Sequence, residues 1–287
     1  MASQASMRAV YVRPHGQLRC PAPGTLPLPG PRRSWLPADE TTDRPEPEEG
    51  HLLVGETRLY WRRLGVGHPI VVLHGGPDFD HNYLLPEMDR LAAFFRLIYY
   101  DQRGRGLSGE GVQAKDVTIS SEIEDLDALT DRLGLGSFAL LGHSWGGFLA
   151  MEYAIRHPGR ISHLILMNTA PASHRGLLLT RQHLAEVRPG EAEEMAALAS
   201  TERYLSGDLE TDAEYYRLHF RAGLPRPEHL DLLVPRLRAN LTEEGVRKAR
   251  AIEQRLYEQT WWSPDYDLLP TLGGLDIPTL VLHGEKD

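Results

Sequence analysis

One segment restricts this chain more than any other: LLGHSWGGFLAMEYA, in which an apolar strand signal runs into G-x-S-x-G and straight on into a helical one. Such a turn doubles back within a few residues, and Gly142 and Gly146 supply positions without a Cβ on either side of Ser144. The helix that follows leaves its first N–H groups without intrahelical partners beside Ser144, where negative charge on a tetrahedral intermediate would be stabilised. A glycine-rich turn with an incidental serine is the plain alternative. The strand before it and the helix after it favour Ser144 as a nucleophile.

The rest of the chain supplies a setting for that turn. From residue 51 the sequence reads as two short strands around Gly55-Glu56, and Ile70 to Leu73 reads as a buried strand ending at His74-Gly75-Gly76-Pro77. Leu84 to Phe94 is expected to be a helix and Arg96 to Tyr100 a strand. The next helix is expected from about Ser120 to Leu133, with Ser121 and Glu124 as a capping box. Phe138 to Leu141, Phe148 to Ile155 and Ile161 to Met167 continue as strand, helix and strand. Strands alternating with helices predict an α/β fold with a mostly parallel sheet covered on both faces.

Between Pro171 and about Asp265 the alternation lapses into helical, acid-rich sequence, and the carboxylates from Glu186 to Glu214 are expected on a solvated face. The strand pattern returns at Pro278 to Leu282. The expected organisation is a leader over 1–49, the first part of an α/β core over 50–170, a helical cap over 171–265 and a second, incomplete part of the core over 266–287. The leader holds nine of the chain's 21 prolines and is expected to be extended or disordered.

Around the turn, three further features bear on chemistry. Glycines in the loop from His74 to Pro77 allow an N–H to face the same cavity and complete an oxyanion hole with the N–H of Trp145, and His74 is expected to hold that loop by hydrogen bonds. His143, the variable position of the turn, is expected to be structural. The order serine, acid, histidine puts the acid after a late strand, where Asp287 stands. The histidine belongs in a later loop, so this chain is expected to end before its base. His283 falls inside a predicted strand, and nothing directs His157, His163 or His174 to Ser144.

Several function classes are excluded. A net charge of -9 argues against nucleic acid and anionic membranes as partners, leaving small molecules or short peptides. A single cysteine, Cys20, rules out an internal disulfide and a thiolate metal cluster; with no membrane-spanning apolar run and no basic segment leading into one, the expectation is cytoplasmic. Oligomeric state is not legible. Gly134-x-Gly136-x-x-Ala139 lies between a helix and a strand, the wrong order for a dinucleotide site, and the loop from Asp101 to Gly106 lacks the lysine of a phosphate loop. Asp78, Asp80 and His81 have no second ligand cluster at metal spacing and are expected in a solvated loop. No metal and no cofactor are expected.

With HGGP, DQRGRGLS and GHSWGG in this order and at these spacings, residues 51 to 287 resemble the proline iminopeptidase branch of the α/β-hydrolase superfamily. The resemblance implies an eight-stranded sheet, a helical cap inserted after Met167, Ser144 as nucleophile, Asp287 as triad acid, and Gly76 with Trp145 as oxyanion donors. His74, Gly75, Gly142, His143 and Gly146 would support the loop and the turn, and Asp101 to Ser108 would line the site from below. The implied activity is acyl-enzyme hydrolysis of small peptides or amides. The alternatives are a carboxylesterase or lactonase of the same fold, and an inactive fragment or non-catalytic binding protein. Asp78 stands where the family has a glycine after HGGP, and the cap shows no tryptophan-glutamate signature.

Overall fold

The computed structural model describes residues 7–12, 18–19 and 46–284, apart from 222, 225, 227 and 240. Nine strands form one sheet: β1 (Met7–Val12), β2 (Leu18–Arg19), β3 (Glu48–Val54), β4 (Thr57–Leu64), β5 (Pro69–Leu73), β6 (Arg96–Tyr100), β7 (Phe138–His143), β8 (Ile161–Met167) and β9 (Thr279–Gly284), in the order β2-β1-β9-β8-β7-β5-β6-β4-β3. Strands β5 to β9 run parallel, while the β3-β4 hairpin and β1-β2 add antiparallel edges. The described sheet has nine strands where eight were implied: seven from β3 to β9, and two from the leader, of which Met7 to Val12 pairs antiparallel with β9.

Alternation in the central strands explains why their sequences read as unbroken apolar runs. Val71, Leu73, Ile98, Tyr100, Phe138 and Leu140 pack on one face, Ile70, Val72, Leu97, Tyr99, Ala139 and Leu141 on the other, and all are buried. The first face is covered by α1 (Ile119–Arg132) and α2 (Trp145–Arg156). The second is covered by residues of the segment from His81 to Phe95.

That segment departs from the expected helix. It forms two 3-10 turns, His81–Leu84 and Met88–Ala93, because Pro86 has no N–H to donate and holds Leu85 in an extended conformation between them. The start of α1 is also corrected: Thr118 is the N-cap and shares its capping box with Ser121, so the cap lies before the expected Ser121 and Glu124 pair. Between β8 and β9 lie α3 (His174–Val187), α4 (Glu191–Ala199), α5 (Glu202–Ser206), α6 (Leu209–Arg221), α7 (Glu228–Arg238), α8 (Glu243–Glu258) and the single turn α9 (Leu269–Leu272). Among the described residues no helix is long and apolar enough to cross a membrane.

Candidate active site

The parallel register places Leu73 of β5 beside Gly142 of β7, so the loops leaving these two strands are neighbours. At the end of β7 the chain turns through Ser144, whose φ of 54° is positive, a strained conformation for a residue with a side chain. The closeness of the turn is visible at its glycines. A Cβ on Gly142 would lie 2.2 Å from Gly146 O, and one on Gly146 would lie 2.3 Å from Leu73 O. The strain is held by the Ser144 N–H, which donates to Met167 O at 3.1 Å, and by Ser144 O, which accepts from Ala170 N–H at 3.0 Å and from Gly147 N–H at 3.0 Å.

Trp145 is the first residue of α2, so its N–H has no partner one turn back along the helix. Its side chain is fully buried, stacked on Phe148 at 4.9 Å between ring centroids and edge-on to Trp261 at 5.5 Å. Packing of this kind fixes the direction of the backbone at the mouth of the helix.

The facing loop is fixed one peptide at a time. The His74 carbonyl accepts from the Gln102 side-chain amide at 2.8 Å, and the Gly75 N–H of the same peptide donates to Tyr83 Oη at 2.7 Å. In the next peptide the Gly75 carbonyl accepts from His74 Nδ1 at 2.8 Å. His74 must carry its proton on Nδ1, since Nε2 accepts from the Gln102 N–H at 3.0 Å. Burial pushes the His74 imidazole down to about 3, so it stays neutral and keeps this tautomer. Of the four polar groups in these two peptides, the Gly76 N–H remains. Gly76 sits at φ 113°, and a Cβ there would lie 2.3 Å from Asp78 N.

Beneath this loop the segment from Asp101 to Ser108 forms a buried polar network. Asp101 accepts from His81 Nδ1 at 2.7 Å and from the Leu107 N–H at 2.8 Å; burial raises its carboxyl, but these bonds prevail and hold it below the usual carboxylate range. Arg103 makes a paired contact with Asp125 at 2.8 and 2.6 Å, and Arg105 joins Glu122 at 2.6 Å and Gln102 Oε1 at 2.7 Å. Arg105 thereby anchors Gln102, which anchors His74.

Asp78, Asp80 and His81 correct the expectation of a solvated loop. Asp78 and His81 are buried, Asp80 caps the turn His81–Leu84, and each is committed to a protein partner. Asp78 accepts from Tyr216 Oη and stands 3.4 Å from Arg238, whose Nε lies 2.9 Å from Asp212. Arg250 pairs with the same Asp212. Asp212 is thus an exception to the solvated acidic face expected for the cap, being buried between two arginines. Its spacing of four from Tyr216 on one helical face carried that signal. Among the described residues no group of three or more His, Cys, Asp or Glu could hold a metal ion.

Sequence reading also missed Tyr83 and Glu253. Glu253 shares a hydrogen bond with Tyr257, whose ring centroid lies 6.4 Å from that of Trp145. Burial pushes the Glu253 carboxyl up to about 7, with the charge of Asp78 adding to the rise. The structure brings His74, Gly75, Gly76, Gly142, His143, Ser144, Trp145 and Gly146 to one edge of the sheet. Asp287 lies outside the described residues. His174 Nδ1 is held to Trp261 O at 2.5 Å, His157 stacks on Tyr153 at 4.6 Å, His163 is edge-on to His68 at 6.4 Å, and His283 lies in β9 opposite Arg8.

Comparison with known proteins agrees with this geometry. Residues 68–287 match the family model described as the alpha/beta hydrolase fold. A proline iminopeptidase of Clostridium botulinum is 30% identical over 257 residues, covering 83% of this chain and 82% of that protein. One from Lactobacillus crispatus is 31% identical over 234 residues, covering 76% and 74%. The crystal structure of a proline iminopeptidase from Mycobacterium smegmatis shares the fold, with a TM-score of 0.57 at 24% identity over 81% of this chain and 80% of that one. The chain belongs to the α/β-hydrolase fold family, in its proline iminopeptidase-like branch of hydrolases.

Proposed function

We propose that the chain is a serine hydrolase that works through an acyl-enzyme and acts as an aminopeptidase on small peptides or amides. Ser144 Oγ attacks the substrate carbonyl, and the N–H groups of Gly76 and Trp145 receive the charge that develops on its oxygen. Asp287 orients the general base, a histidine that the order serine, acid, histidine places after it. That base takes the Ser144 proton and returns it to the leaving amine, after which water releases the acyl group. This chemistry calls on no cofactor.

The observation that carries the aminopeptidase reading is Glu253. Arg238 pairs with Asp78 and Asp212, and Arg250 with Asp212, while among the described residues Glu253 forms no ion pair and feels these arginines only at longer range. A substrate ammonium would give it a paired cation. Against a folded value of about 7 and an ordinary value of 4.5, the carboxyl ionises as pH rises through neutrality, and ammonium capture strengthens in that direction. The stability it contributes runs the other way: it is complete below pH 4.5 and is lost as pH rises through about 7.

The test compares prolyl p-nitroanilide with a p-nitrophenyl ester lacking an amine, across pH 5.5 to 8.5, on the full-length protein and on Glu253→Gln. The ratio of anilide to ester kcat/KM should rise through about pH 7 in the parent and lose roughly ten-fold or more in the variant, the loss of one charge-assisted contact. A flat ratio with the ester preferred would replace the peptidase by a carboxylesterase or lactonase.

A further inference from the structure

We propose that Tyr83 is a positioning residue for the oxyanion hole, its one hydroxyl joining the loop that carries Gly76 to the turn that carries Ser144. The inference rests on the acyl-serine reading and is independent of the substrate's amino terminus. Tyr83 Oη accepts from the Gly75 N–H at 2.7 Å and lies 2.6 Å from His143 Nδ1. His143 is the residue immediately before the nucleophile, so two hydrogen bonds span the gap between the two loops.

The proton arrangement follows from counting donors. A phenol has one hydrogen, and among the described residues His143 Nδ1 is the one acceptor within hydrogen-bond reach of Tyr83 Oη, so that hydrogen goes to it while the oxygen receives the Gly75 N–H. His143 is then a neutral imidazole with its proton on Nε2, and burial pushes it down to about 4, which keeps it neutral at ordinary pH. The contact is close enough to require glycine at position 75: a Cβ there would lie 2.7 Å from Tyr83 Oη and 3.2 Å from His143 Nδ1.

The consequence is geometric. Oxyanion donors act within a narrow range of about 2.7 to 3.1 Å from the oxygen they stabilise. The distance between the Gly76 and Trp145 donors is set by how the two loops are held together. His74, Gln102 and Arg105 fix the first loop to the segment beneath it. The Tyr83 hydroxyl ties it directly to the residue beside Ser144.

Tyr83→Phe keeps the ring, including its edge contact with Phe79 at 5.6 Å, and removes both hydrogen bonds. In the full-length protein, kcat on the faster of the ester and the anilide should fall on the order of ten-fold, below the roughly hundred-fold for deleting an oxyanion donor, with KM held within about two-fold. Fluorophosphonate labelling should slow in parallel. In a His143→Leu background, Tyr83→Phe should cost much less than it does alone. A 15N spectrum of the parent, which needs no variant, should show His143 protonated on Nε2 with Nδ1 bare. Unchanged kcat and labelling in Tyr83→Phe, or a proton on His143 Nδ1 in the parent, would overturn the assignment. Failure of the aminopeptidase reading would appear instead as a change of preferred substrate, with the Tyr83→Phe loss intact on the ester.

Discussion

Helices α2 and α3 are nearly equal in length and opposite in character. Of the twelve residues of α2, ten are buried, from Trp145 to Ala154; of the fourteen residues of α3, none is, and Leu178 and Leu179 are half exposed. The first helix begins beside Ser144 and is gripped by the sheet, and the second begins the helical segment between β8 and β9. The contrast divides the molecule into a close-packed part that fixes the turn around Ser144 and a part whose outer face is not constrained by packing. Asp78, Arg238 and Asp212 are where the two meet, because the loop that carries Gly76 continues directly into a charged cluster formed with α6 and α7.

Substitutions should reproduce that division in order of size. Gly146→Ala is expected to be the most damaging, since its Cβ would press on the Leu73 and His74 carbonyls at 2.3 and 2.6 Å with no flexible side chain to move aside. A loss of about 4 kcal/mol or more in denaturant unfolding is expected, the range reserved for overpacked or strained backbone. Asp212→Ala should come next, removing the buried carboxylate that Arg238 and Arg250 share and costing about 3 kcal/mol. If it cost nothing, the helices between β8 and β9 would be loosely held throughout and the division sharper still. Leu179→Ala in α3 should change stability by less than about 0.5 kcal/mol. A loss there as large as that at Asp212 would mean that the exposed face of α3 is covered in solution.

Much of this was legible in the sequence, for a reason particular to buried parallel sheets. Strands β5 to β8 are apolar on both faces, so Ile70 to Leu73 and Ile161 to Met167 stand out as short runs closed by glycine or proline. The turn around Ser144 was legible because steric demands leave few residues that can occupy it. Polar networks were not. Tyr83 and His143 are 60 residues apart, and the Asp78 charge that bears on Glu253 comes from far along the chain, so neither interaction leaves a local pattern. Asp78 and His81 read as solvated because their partners Tyr216, Arg238 and Asp101 lie far along the chain. The strand Met7 to Val12 was hidden within a proline-rich leader, where composition outweighed six residues of strand-forming sequence.

The central claim is that Ser144 is an acyl-accepting nucleophile, and a fluorophosphonate probe tests it most directly. Incubated with the folded full-length protein and followed by peptide mass analysis, it should leave a single adduct on the peptide containing Ser144, absent from Ser144→Ala. A folded protein that stays unlabelled, or one labelled equally in Ser144→Ala, would contradict the account.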